Sequence, residues 1–383
     1  DKFNLQKYPY YKEQFAVITT KIFITSISIL IPILLSITIL KLTECQVSAL
    51  FGFLLICFSE LFTYHSRAYI NIDLFASLFV AINIFYFTFY HNDKNSFRNL
   101  IIPGILTGLT IASKYPHGLI IIIYLYSFLT NKSHSPSQKT VNCVTTLITA
   151  ILTTLFCCPY IVIFFDKWLS EVINQREIYK TGWIGYTVEP GISNFVLQLK
   201  QLLYEYGYFI SVLFIVGCLF LISKKQKYGI PIILYSFGFL LYFSTYSVNL
   251  IRNLLPVYIL YALIASFGFY YIFTIIKPKL GIKFSSLLLF ILSIITFPKF
   301  KVNAIIRNAP ESRKLALNYI HKNINKKSHL VIAKELGIDT TKLIGFNITE
   351  IKFLDSDRKT LNPKVYEFCN DRDFFIYPIF CAD

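Results

Sequence analysis

The stretch ASKYPHG, residues 112–118, places Lys114, Tyr115, Pro116 and His117 inside an otherwise apolar run from Asn99 to Thr130. A charge held in hydrocarbon costs at least about 2.5 kcal/mol, so an ionisable group there marks either a chain break at the membrane surface or a functional site. For Lys114 two roles stand side by side. It is a headgroup anchor, with Tyr115 beside it, or a compact cation for a lipid-linked phosphate. Arg252, in NLIRNLLP, is a second such cation, and a guanidinium can grip a phosphate with two parallel hydrogen bonds. Arg67 and Asp73 flank the start of another apolar segment. They read as an interfacial ion pair, or Asp73 is a candidate to hold a substrate hydroxyl or a divalent metal ion. His65 and His117 are ligand or acid–base candidates, although a lone histidine is more often simply hydrogen-bonded. In REIYKTGWIGYTVEPG (176–191), Trp183, Tyr186 and Tyr179 are rings that stack on sugars or lie on lipid headgroups, with Glu177 and Glu189 as hydroxyl binders.

The elements that must position these groups are membrane helices. The chain is 55% hydrophobic and 17% aromatic with only 15% charged residues, and its mean hydropathy is +0.56. A soluble domain carries roughly a quarter charged residues. Ten apolar segments stand out, at about 22–40, 46–63, 72–90, 99–113, 118–130, 141–165, 207–222, 230–245, 254–276 and 284–298. With all ten crossing, alternate loops hold Lys41; Lys94 and Arg98; Lys132 and Lys139; Lys224, Lys225 and Lys227; and Lys277, Lys279 and Lys283. The opposite short loops hold only Arg67, Lys114 and Arg252. Basic loops face the cytoplasm, which puts those three cations, Asp73, the loop 166–206 and the tail on the outer face. Fusing the fourth and fifth segments would scatter the basic loops over both faces. The break at Lys114 is therefore expected to be a turn at the outer membrane interface. Loop lysines and a basic tail account for the net charge of +16 without a nucleic-acid partner.

After Pro298 the pattern changes. Residues 309–324 read as a helix, and SHLVIAKE, TEIKFLDS and DFFIYPIF read as short strands, which predicts a small α/β domain. Cys369 and Cys381 are a candidate disulfide in that tail; the other six cysteines lie in or beside apolar segments. The eight show no zinc spacing, and no P-loop, GxGxxG, HExxH or Ser-His-Asp order occurs. No nucleotide cofactor is expected. The polar start DKFNLQKYPYYKEQ and the absence of methionine lead us to expect that a preceding segment is missing.

GILTGLTIASKYPHGLIIIIYL resembles the lysine-bearing segment of GT-C membrane glycosyltransferases, in the branch of protein O-mannosyltransferases and aminoarabinose transferases. SRAYINIDLFASLFVAI, TGWIGYTVEPGISNFVLQLKQLLYEYG, RNLLPVYILYALIA and SRKLALNYIHKNINKKSHLVI resemble further segments of that branch, in the same order. The resemblance implies an all-α polytopic bundle with an extracytoplasmic α/β domain. Residues 1–20 would end the first outer loop, 21–298 would form the membrane domain and 299–383 the tail domain. It also implies transfer of a sugar from a polyprenyl-phosphate carrier to a hydroxyl of an acceptor lipid, glycan or protein. The reaction would take place outside the plasma (inner) membrane, in contact with membrane lipid. Lys114 and Arg252 would hold the carrier phosphate with Arg67, Tyr115 and His117 nearby, Asp73 would line the pocket or bind a divalent metal, and Trp183, Tyr186 and Glu189 would meet sugar or acceptor. The family's acidic base belongs to the first outer loop and is expected upstream of Asp1.

Three rival readings remain open. A transporter or flippase predicts ionisable groups near the bilayer midplane and internal symmetry. Glu60 is the one acidic residue well inside an assigned segment, and no repeat is visible. A polymerase or ligase of lipid-linked sugars predicts arginines and histidines in the large outer loop, where only Arg176 occurs. A non-catalytic scaffold leaves the clustered cations unexplained.

Overall fold

The computed structural model describes residues 9–66, 72–90, 97–182, 186–275, 312–326, 328–333, 343, 345–351 and 374–376. Arg67, Trp183, the segment 284–298, Cys369 and Cys381 lie outside them. The helices are α1 Pro9–Thr43, α2 Gln46–Phe58, α3 Glu60–Ser66, α4 Ile72–Phe89 and α5 Phe97–Ser113. A 3-10 turn, Tyr115–Ile121, then leads into α6 Ile122–Thr130. These are followed by α7 Pro136–Cys157, α8 Tyr160–Ile163, α9 Phe165–Thr181, α10 Ile192–Lys224 and α11 Gln226–Ser244, and by α12 Ile251–Ile275. Five of these are long and apolar enough to cross a membrane: α1 from Ile22, α4, α7, α10 and α12. The pair α2–α3, bent by 64° at Ser59, has the same length and apolarity only when its two helices are taken together, and Tyr115–Thr130 is a shorter apolar helix. The protein is a helical membrane bundle.

Helix α12 is its axis. The chain is buried without interruption from Asn253 to Phe269, and 72% of its apolar window lies inside the bundle against 22% for α7. A helix apolar on every face belongs at a core, and one buried on a narrow stripe belongs at the rim. Close crossings are made by glycine. A Cβ on Gly104 would lie 2.8 Å from the Thr146 carbonyl oxygen, and one on Gly108 would lie 2.6 Å from that of Ala150. Helices α5 and α7 therefore meet backbone to backbone at a Gly-xxx-Gly seam. Thr154 Oγ1 reinforces it by donating to the Gly108 carbonyl at 3.2 Å. Gly217 of α10 and Gly268 of α12 form a second crossing, each meeting the partner's backbone.

Two features depart from the sequence reading. The apolar segment 141–165 ends as a helix at Cys157, because the next residue, Cys158, precedes Pro159 and a residue before proline avoids the α region. The expected outer loop 166–206 is largely helical. It consists of α9, a short connector, and the first half of a 33-residue α10 whose regular path is broken only at Gly207, with φ 78°. Glu205 consequently sits inside a helix. It is half-buried, and its Oε1 accepts from Ser59 Oγ at 2.6 Å and Leu61 N–H at 3.1 Å, capping the bend that starts α3. In the tail, α13 Ser312–Asn323 is followed by β1 His329–Ala333, β2 Asn347–Ile351 and β3 Phe374–Ile376. The strands pair in parallel in the order β2-β1-β3. Ile320, Leu330, Ile332 and Leu343 make a small core of their own.

Candidate functional site

One end of the bundle holds a cavity of about 860 Å³. The ends of α3, α5 and α11, the starts of α4 and α12, and one face of α9 converge on it. Asn83, buried in α4, fixes the first pair of walls. Its Nδ2 donates to Thr110 Oγ1 at 3.0 Å, to the Leu106 carbonyl at 3.3 Å and to its own helix at Phe79. Asp73 at the head of α4 and Lys114 at the tail of α5 are thereby held in register.

Lys114 leaves the helix in an extended conformation, φ −164° and ψ 117°. Pro116 follows in the first turn of the next helix, where its missing N–H costs nothing. That single extended residue sends the ammonium into the cavity. There it pairs with Asp73 Oδ1 and donates to Asn253 Oδ1 at 2.7 Å. Arg252, one residue earlier on the first turn of α12, brings Nε to 3.9 Å from Asp73 Oδ2. Asn253 also donates to the Tyr179 hydroxyl at 3.0 Å. Four separate elements therefore meet on one carboxylate and one amide. The Asp73 side chain is 6% exposed and that of Lys114 20%, whereas Arg252 is 58% exposed. Arg252 is the cation free to turn toward a ligand. Burial pulls the Lys114 amine below its usual value, with Asp73 opposing, and burial pushes the Tyr179 phenol up.

Asp73, Lys114, Tyr115 and Arg252 all line the cavity, and the structure brings them together. His65 and Tyr179, also named from the sequence, line it as well, whereas His117, Tyr186 and Glu189 fall elsewhere. His117, grouped with the phosphate contacts from its position, is carried inward by the 3-10 turn. It is fully buried against α11, its ring stacked on Phe239 at 4.7 Å with 9° between planes. Tyr186 and Glu189 do not reach the cavity. Their connector is stitched to the α11–α12 link by Val188 N–H to the Ser247 carbonyl at 2.7 Å and Asn249 N–H to the Tyr186 carbonyl at 2.9 Å. Glu189 accepts from Ser193 at 3.4 Å. Arg67 and Trp183 are outside the described residues.

The residues that sequence reasoning missed are Asn253, Trp168 and the inward residues of α9. Trp168 donates to the Tyr115 hydroxyl at 2.9 Å, and Glu171, Gln175 and Arg176 follow it along the cavity wall. Their signal was present in the sequence as an i, i+3, i+4 rhythm opposite the apolar stripe Phe165, Leu169 and Ile173.

The chemistry of the donor set argues against a divalent metal at Asp73. Both its oxygens face cations, and no cluster of three His, Cys, Asp or Glu occurs among the described residues. A carboxylate gripped by two cations is instead a holder of positive charge. What the arrangement offers a ligand is an anion site: an exposed guanidinium, a half-buried ammonium on an amide, and tyrosine hydroxyls around them.

Residues 12–163 match the family described as dolichyl-phosphate-mannose-protein mannosyltransferase. The match takes in Asp73, Lys114 and Tyr115 and stops short of α9 and Arg252. No curated protein and no solved structure matches the chain. The family match bears out the resemblance to GT-C membrane glycosyltransferases.

Proposed function

We propose that this protein, whose residues 12–163 match that mannosyltransferase family, moves a sugar from a polyprenyl-phosphate carrier to an acceptor hydroxyl at the outer face of the membrane. The observation that carries the reading is the convergence of Lys114 and Arg252, distant in sequence, on Asp73 at the mouth of one cavity.

In the reaction the bond from the sugar's anomeric carbon to the phosphate oxygen breaks with its electron pair going to that oxygen, the acceptor oxygen bonds to the anomeric carbon, and the acceptor's proton passes to water. The carrier departs with an additional negative charge on phosphate. Fixed positive charge at that point stabilises the transition state more than the ground state, which is the condition for catalysis. Arg252 supplies two parallel donors. Lys114, steadied by Asn253, supplies a point charge once the phosphate competes with Asp73 for it. Asp73, tied to two cations, is poorly placed to remove a proton; its part is to hold Lys114 extended and charged in a dry setting. The prenyl chain of the carrier would lie along the lipid-facing helices beside the cavity.

The test is binding of polyprenyl phosphate to the protein in lipid nanodiscs. Lys114→Ala and Arg252→Ala should each weaken it at least about tenfold, equivalent to 1.4 kcal/mol, and abolish transfer of mannose from polyprenyl-phosphate mannose. Unchanged binding in both variants would sink the phosphate clamp.

A further inference from the structure

Helix α9 has no buried residue, yet both its ends are fastened across the cavity. At one end Trp168 Nε1 donates to Tyr115. At the other, the Tyr179 carbonyl accepts from Ser247 and Val248 N–H at 2.9 and 3.2 Å, and its hydroxyl accepts from Asn253. Between these fastenings run roughly 16 Å of helix, at 1.5 Å per residue. The face turned to the cavity carries Glu171, Gln175 and Arg176. Such a strap contributes little to the core, so its polar inward face is left without a packing role.

We propose that this face of α9 is a saccharide-binding wall, an assignment that rests on the cavity being the transfer site. The chemistry of the face matches a ring of vicinal hydroxyls. Each hydroxyl both donates and accepts; a carboxylate only accepts, a guanidinium only donates, and a primary amide does both. Glu171 is held in place by the Tyr160 hydroxyl at 3.4 Å. Trp168 and Tyr115 stand nearly perpendicular, at 84° with ring centres 6.3 Å apart, and offer an aromatic corner to the apolar face of a sugar ring. One charge of each sign on the wall gives no net attraction to an acidic or a basic peptide. The cavity of about 860 Å³ lies near the top of the range for small-molecule sites, leaving room for a sugar beside a phosphate at Arg252. A saccharide could arrive there on the carrier or as an acceptor glycan.

The experiment uses the chain's two tryptophans, Trp168 and Trp183. Trp183→Phe leaves Trp168 as the sole indole of the full-length protein in nanodiscs. Its emission is followed on adding polyprenyl phosphate, polyprenyl-phosphate mannose, or methyl mannoside with polyprenyl phosphate already bound. We expect a change dependent on the sugar, weakened at least about tenfold by Glu171→Gln with Gln175→Ala, while polyprenyl phosphate binds these variants as it binds the parent. A change seen only with the carrier-linked sugar assigns the wall to the donor, and one also seen with the free glycoside assigns it to an acceptor. No sugar-dependent change, or one indifferent to both substitutions, with polyprenyl phosphate still bound, overturns the wall and leaves the clamp standing. Failure of polyprenyl phosphate itself to bind overturns both.

Discussion

The pairing of Asp73 with Lys114 makes a prediction about stability and affinity that run in opposite directions. Both side chains are largely buried, so removing either partner strands a charge, which typically costs about 3–5 kcal/mol. Arg252 cannot rescue Asp73 when Lys114 is lost. It stands at 3.9 Å and is more than half exposed, where an ion pair contributes about 0–1 kcal/mol. Asp73→Asn and Lys114→Met should therefore each destabilise by about 3–5 kcal/mol. The double variant strands neither charge and should cost no more than either single, giving a coupling at least as large as one single cost, about 3–5 kcal/mol. Equilibrium unfolding in mixed micelles of the four proteins measures this cycle. In the same Asp73→Asn protein, Lys114 is released from its counter-ion and a negative neighbour of the phosphate is gone. Polyprenyl phosphate should then bind tighter, by about tenfold for each 1.4 kcal/mol no longer spent on separating the pair. Additive stabilities, or weaker phosphate binding in Asp73→Asn, would refute the view that this carboxylate holds a cation and competes with the ligand.

Other side chains of the bundle lend themselves to the same kind of test. Glu205→Ala removes the acceptor for Ser59 and the Leu61 N–H at the α2–α3 bend; it should cost roughly 2–4 kcal/mol and speed amide exchange across residues 60–66, read by mass spectrometry. Gly108→Leu places a side chain where the Ala150 carbonyl already sits 2.6 Å from a Cβ; the α5–α7 seam should part, with loss of about 1–3 kcal/mol or more in the same unfolding assay. Asn253→Ala should weaken polyprenyl phosphate binding through Lys114, and Asn253→Asp should weaken it further by adding a negative charge beside the phosphate; equal effects would argue against an electrostatic site.

How far the sequence reaches is seen residue by residue. Lys114 and Arg252 were legible because a charge beside an apolar run is costly and needs a reason. Asn253 was not: an amide next to an arginine has no pattern of its own, and only the fold shows that it joins Lys114 to Tyr179. His117 shows the limit of proximity in sequence, since three residues after Lys114 the chain has turned its side chain into the bundle. Helix α9 read as loop because its polar residues outweigh its apolar stripe, and Glu205 read as loop because α10 starts well before its apolar half. The strand that became β2 begins at Asn347, two residues before the apolar alternation suggested. Hydropathy sees lipid contact, and these features depend on contact with protein.

The length of α10 carries a consequence of another kind. Its 33 residues would extend about 50 Å as one rod, against a hydrocarbon thickness of about 30 Å. Gly207 divides it, and the part from 208 to 224 measures roughly 25 Å, close to one bilayer crossing. A bilayer that thickens or thins then acts on the lower part, which can tilt about the glycine. The upper part stays with Glu205, the α3 bend and the cavity. The break at Gly207 should therefore uncouple the site from the membrane's dimensions. Transfer measured across lipids of increasing acyl length should vary little in the parent protein and steeply in Gly207→Ala, whose side chain resists φ 78°; an equal dependence in both would show that the break plays no such part.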